Sequence, residues 1–293
     1  MNDQASALRQ IVKNIKNQRA RPLGDGARVV SVASGKGGVG KTSFTVNLAI
    51  SLVKKGLRVL IMDADFGLAN VDVMMGVTPP YNLSHVVRRE IELKDAIFEG
   101  PGGVRIISGG SGMMELLTLS GDQIPILMEK LRQIDDVADV VLFDTGAGAG
   151  PNVVRLIEAS EEVVVITTPE PTAIMDAYAL IKTVLRHGSE AKVRLVVCRA
   201  DNTAEAEDTM AKFAAVVRLY LQVEMEELGY VLADPNVPRS VKLQRPFMLS
   251  FPKTQAARDI ETITWKFMNI QPESASKGFR GFLGNLMNRA RKE

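Results

Sequence analysis

A single cysteine, Cys198, stands in a chain of 293 residues. One thiol excludes an internal disulfide, a Cys-x-x-Cys metal clip and an iron–sulfur cluster held within one chain. Histidine is almost as scarce: only His85 and His187 occur, and neither stands in a metal-ligand pattern, so both read as structural. Charge of one sign is missing too. The 36 Lys and Arg meet 34 Asp and Glu, a formal net charge of +2, which provides no global field for a polyanion. No apolar run approaches the ~20 residues of a transmembrane helix. Asp3, Arg9 and Lys13 occupy the stretch where a signal peptide needs apolar residues. The expectation is a cytoplasmic protein that touches a membrane only peripherally, from the inner face. Internal repeats and low-complexity segments are absent, and a hydrophobic content of 46% is ample for a buried core.

Charge is unevenly placed along the chain. Residues 1–28 hold six Lys/Arg against two Asp, residues 277–293 hold five against one Glu, and the middle carries about −6. Between the tails, short β-branched runs alternate with longer helical patterns. The runs are Val29–Ser34, Leu57–Asp63, Val104–Ser108, Val140–Asp144, Val163–Thr168, Val193–Cys198 and Tyr230–Ala233. Near-continuous apolar strands separated by helices predict an α/β fold, a mostly parallel twisted sheet of about seven to eight strands covered by helices on both faces. The Gly-, Ser- and Pro-containing stretch Gln271–Gly278 reads as a linker. The expected organisation is an N-terminal segment at 1–28, a main domain at 29–270, and a linker with a terminal amphipathic helix at 271–293.

After the first run comes Ser34-Gly35-Lys36-Gly37-Gly38-Val39-Gly40-Lys41-Thr42-Ser43, which fits G-x-x-x-x-G-K-[ST] and leads into the helical spacing of Phe44, Leu48 and Leu52. Glycines let backbone amides curl around phosphate oxygens, and the helix N-terminus adds its positive end. Lys41 then reaches the β- and γ-phosphates, and Thr42 ligates Mg²⁺. Gly35, Gly37 and Gly40 also satisfy the dinucleotide fingerprint G-x-G-x-x-G, with Asp63 where a ribose-binding acid would stand. Against that reading, Lys41-Thr42 is redundant for a pyrophosphate. Moreover, Val140-Val141-Leu142-Phe143-Asp144 is a Walker B pattern that places Asp144 at the Mg²⁺ shell.

Lys36, a second lysine inside the loop, marks the deviant Walker A sequence K-G-G-x-G-K-[ST]. With Lys36, Lys41, Asp65 and Asp144 in this order, residues 29 to about 265 resemble a MinD/ParA-type ATPase. The resemblance implies ATP and Mg²⁺ as ligands and an ATP-bound homodimer. In that dimer Lys36 reaches the partner's nucleotide as an arginine finger would. It also implies that Asp65 orients the attacking water and that Asp63 supports the Mg²⁺ shell. Two carboxylates two residues apart at a strand end are costly together unless a cation lies between them. Asp144-Thr145-Gly146-Ala147-Gly148 resembles a switch II segment, whose glycines let the backbone shift. For the adenine side, the resemblance points to Asp234-Pro235 and to Arg199 stacking on the base, with Cys198 where such proteins place an asparagine.

Two tails narrow the resemblance. Asp3-Gln4-Ala5, ahead of a helical stripe of Leu8, Ile11, Val12 and Ile15, is similar to the activator segment of the FlhG family, also called FleN or YlxH. In that family the segment is implied to stimulate the GTPase FlhF. Flagellar switch proteins and a flagellar transcription regulator are further partners the resemblance implies. At the other end, Phe279, Phe282, Leu283, Leu286 and Met287 share one helical face among basic residues, a pattern suited to the surface of an anionic bilayer. The same stripe equally suits packing on the chain's own domain. MinD-type division-site selection and ParA-type DNA segregation are the competing functions.

Overall fold

The computed structural model describes residues 26–65, 70–109, 112, 115–116, 123–269 and 278–290. Asp3, Gln4 and Ala5, the stripe that follows them, and residues 271–277 of the Gln271–Gly278 linker lie outside these residues. The strands are β1 (Arg28–Ser34), β2 (Val59–Ala64), β3 (Phe98–Glu99), β4 (Arg105–Ile107), β5 (Val140–Ala147), β6 (Glu162–Thr167), β7 (Lys192–Ala200) and β8 (Glu226–Leu232). They form one sheet in the order β3-β4-β2-β5-β1-β6-β7-β8, parallel except for β3 against β4. All seven expected strands are present, the last beginning at Glu226 rather than Tyr230. The two-residue β3 is an addition, too short to leave a periodic signal.

Alternation along the strands divides the core. Val30 and Val32 of β1 join Val140 and Leu142 of β5 on one face, against α1 (Lys41–Lys54) and α12 (Gln255–Asn269). The smaller α2 (Asn70–Met75), α3 (Leu83–Val87), α4 (Leu93–Ala96), α5 (Gln123–Arg132) and α6 (Ile134–Val137) follow β2 and precede β5. On the opposite face lie α7 (Pro151–Ala159), α8 (Pro171–Arg186), α9 (Thr203–Leu221) and α13 (Gly278–Ala290). The turns α10 (Asn236–Lys242) and α11 (Phe247–Ser250) close the β8 side. Strands buried on both faces explain why the runs read as continuous rather than alternating.

The terminal helix departs from expectation. Phe279, Phe282, Leu283, Leu286 and Met287 are all buried, packed against Phe143 of β5 and the surrounding core. Phe143 stacks on Phe282 at 4.6 Å and on Phe279 at 6.2 Å between ring centroids. One carboxylate fixes the helix start: Asp135 accepts from the amides of Phe279 at 2.7 Å and Arg280 at 3.2 Å, and also from Ala27 at 2.8 Å. In this conformation α13 is a layer packed on the sheet, the alternative that the same stripe equally suits. The physical reason is that an unmatched sheet face is as apolar as lipid, and it is covalently nearer.

Arg28 opens β1. Its guanidinium donates to both oxygens of Glu162, at 2.8 and 2.7 Å, and to the Phe267 carbonyl at 2.7 Å. Arg194 contacts the same Glu162 and also Glu226. Arg28, Glu162 and Arg194 are all buried, a charged knot at the strand ends opposite the phosphate loop.

Candidate active site

The loop from Gly35 to Gly40 joins β1 to α1, beside the carboxyl ends of β5 and β6. Gly38 and Gly40 have φ of 79° and 100°, a left-handed conformation that side chains with a Cβ resist. Gly35 is required for another reason: a Cβ there would lie 2.1 Å from the carbonyl carbon of Asp176 in α8. Helix α1 begins at Gly40 with no side-chain cap and no acidic residue in its first turn, so its first amides are left for a ligand.

Asp144 is the hub below this loop. Lys41 Nζ donates to Asp144 Oδ1 at 3.0 Å, Thr42 Oγ1 to Oδ2 at 2.6 Å, and Thr45 Oγ1 to Oδ1 at 2.9 Å. Strand register sets Asp63 directly beside Asp144. Burial, and then the Asp144 charge, push the Asp63 carboxyl up to about 7. Its oxygens accept from the amides of Asp65 and Val71, each at 3.1 Å. Asp65 in turn accepts from Asn70 Nδ2 at 2.9 Å. Of these groups Lys41, Thr42, Asp65 and Asn70 line a cavity of about 910 Å³ that also reaches Cys198, Arg199, Asp234 and Pro235.

A family profile described as an AAA domain matches residues 27–197. The flagellum site-determining protein YlxH of Helicobacter pylori is 42% identical over 293 residues, spanning 98% of this chain and 99% of that protein. The antiactivator FleN of Pseudomonas aeruginosa is 39% identical over 239 residues, 82% of this chain and 85% of that protein. This chain belongs to the FleN/YlxH family of MinD-like P-loop ATPases. Among solved structures, the cell division ATPase MinD of Pyrococcus furiosus superposes with a TM-score of 0.66 at 24% identity, covering 82% of this chain and 98% of that one. MinD of Pyrococcus horikoshii, complexed with Mg-ADP, gives 0.65 at 22% identity over 85% and 100%. At these identities the likeness establishes the fold.

The residues of this FleN/YlxH-family chain fit a magnesium nucleotide. Ser43 Oγ is buried and has no hydrogen-bond partner among the described residues, an orphan that a phosphate oxygen would satisfy. A Cβ at Gly37 or Gly38 would meet nothing within 4 Å, so the loop rim is open to a ligand. Lys41 and Thr42 both rest on Asp144. No group of three or more His, Cys, Asp or Glu is placed to hold a metal among the described residues. Mg²⁺ keeps most of its waters and needs few protein ligands. Thr42, Asp63 and Asp144 would hold it, and the ion would neutralise charge developing between β- and γ-phosphates.

The structure brings Lys41, Thr42, Asp63, Asp65 and Asp144 together at the carboxyl ends of β1, β2 and β5. Val39 is buried beneath the loop. Two adenine-side residues are differently engaged. Arg199, at φ 62°, donates to the Gly38 carbonyl at 3.1 Å and so braces the phosphate loop. Asp234 accepts from Asn236 N at 2.9 Å, Asn236 Nδ2 at 3.0 Å and Ala256 N at 3.3 Å. Its carboxylate shapes the loop that lines the cavity and caps α12. Sequence reasoning missed Thr45 and Asn70. Thr45 lies one helical turn after Lys41 and was legible in principle; Asn70 depends on a turn with no periodic signal. Residues 66–69 between Asp65 and Asn70 lie outside the described residues.

Proposed function

We propose that this chain is a slow ATPase, activated by dimerisation, whose ATP-bound homodimer regulates flagellar number or placement at an anionic membrane surface. One observation carries the dimer: Lys41 occupies the phosphate cradle, whereas Lys36 lies on the outer rim with its side chain 40% exposed. A second lysine outside its own cradle supports the reading that it serves a triphosphate on another copy. The names of the antiactivator FleN and the site-determining protein YlxH support the flagellar assignment. Membrane contact would require α13 to leave Phe143 and turn the same five apolar side chains to lipid. A dimer would present two such helices and gain by effective concentration. The basic N-terminal segment, through Asp3, Gln4 and Ala5, is assigned to stimulation of the GTPase FlhF.

Two variants test the hydrolytic core. Asp65→Ala should bind ATP and accumulate as a dimer, because the water is no longer oriented; a monomer at saturating ATP in light scattering would remove Asp65 from that role. Lys36→Ala should lose turnover, and full activity would refute the donated lysine. For the partner, a peptide of residues 1–20 should accelerate FlhF, and its Gln4→Ala version should not. No stimulation by either peptide would favour division-site selection instead.

A further inference from the structure

Lys36 is held in place within the single protomer. Its Nζ donates to Glu170 Oε2 at 3.0 Å and to Thr172 Oγ1 at 3.0 Å. Both acceptors belong to the start of α8, where Glu170 is the N-cap residue and its side chain caps no amide. The carboxylate is thus committed to the lysine rather than to its own helix. The hydrogen bond and charge of Lys36, with help from Arg199, hold the Glu170 carboxyl below the ordinary carboxylate range. The loop carrying Lys36 is meanwhile fixed on two sides: Gly35 lies against the Asp176 backbone of the same helix, and Arg199 of β7 ties down the Gly38 carbonyl. With both ends of this contact anchored, the lysine stem is the part left to swing.

We propose that Glu170, assisted by Thr172, is a positioning residue for Lys36, berthing its ammonium in its own protomer until a triphosphate on a second copy competes for it. The inference rests on the dimer reading above. An ammonium has three donors, and a γ-phosphate outweighs a single carboxylate in charge. A diphosphate offers less, so the berth keeps the lysine when the γ-phosphate has gone. The berth therefore sets the protein concentration at which pairing begins. Exposed ion pairs of this kind are worth factors of about 1.5 to 5 each. Two lysines per dimer make that about two- to thirtyfold.

The experiment compares wild type, Glu170→Gln and Thr172→Val in the full chain. Specific ATPase activity is followed against protein concentration, and sedimentation equilibrium is run with ATP and with ADP. Glu170→Gln is expected to lower the half-activation concentration by about two- to thirtyfold while the plateau rate per protomer stays unchanged. Thr172→Val should move the same way by less. In nucleotide-free monomer, Lys36 should react faster with an amine acylating reagent in Glu170→Gln than in wild type. An unchanged or raised half-activation concentration, or unchanged Lys36 labelling, would overturn the berth. A wild type that fails to pair with ATP would instead sink the dimer reading, and the labelling arm would still decide the berth.

Discussion

Phe143→Leu distinguishes a helix that only completes the core from one that alternates between sheet and lipid. Phe143 sits on β5 and never leaves the sheet, yet it stacks on both Phe279 and Phe282 of α13. Two ring pairs contribute about 1–3 kcal/mol beyond area burial. Their loss weakens the docked state of the helix and leaves the released state untouched. If docking and lipid binding compete, vesicle affinity of nucleotide-free protein rises by about five- to 150-fold, at 1.4 kcal/mol per decade. Phe282→Ala is the counter-variant, because it removes a ring from both the docked helix and the lipid-facing stripe. The assay is co-sedimentation with vesicles containing anionic lipid, paired with amide exchange over residues 278–290. Faster exchange in Phe143→Leu without any gain in vesicle binding would refute the competition.

Two further outcomes concern the charged interior. Asp63, raised to about 7 first by burial and then by Asp144, binds more protons folded than unfolded between about pH 4 and pH 7. Its contribution to stability therefore falls as pH rises through that window. Without nucleotide or Mg²⁺, the unfolding free energy of wild type minus that of Asp63→Asn should drop by up to about 4 kcal/mol across it. A flat difference in urea titrations would refute the raised value. Glu162→Ala leaves the buried guanidinium groups of Arg28 and Arg194 without their shared carboxylate and should cost about 3–5 kcal/mol in the same assay; a loss near zero would mean that water reaches the knot.

Much of the catalytic half was legible because its chemistry is local. The loop from Gly35 to Ser43 and the apolar run ending in Asp144 each carry their function within one turn or one strand. The helix at 278–290 was legible as an amphipathic element, but one stripe of Phe, Leu and Met gives the same pattern whether a sheet or a bilayer covers it. Only the tertiary placement of Phe143 decides. Nothing in the sequence marks Arg28 and Arg194 as buried, since burial of a guanidinium depends on a carboxylate 134 residues away from Arg28. The Lys36 berth was invisible for the same reason: Glu170 adjoins the lysine only after β6 has been laid beside β1.

The Asp135 carboxylate draws the start of the folded unit and the start of its last helix to one corner, roughly 20 Å along β1 from the phosphate loop. Gly26 and Gly278 touch there so closely that a methyl group on Gly26 would sit 2.5 Å from the other's Cα. A bulky side chain at Gly26 consequently crowds the root of the last helix. Shortening the chain at residue 277 would bare the aromatic face of β5, so a truncated protein that stops pelleting with vesicles has also lost part of its interior.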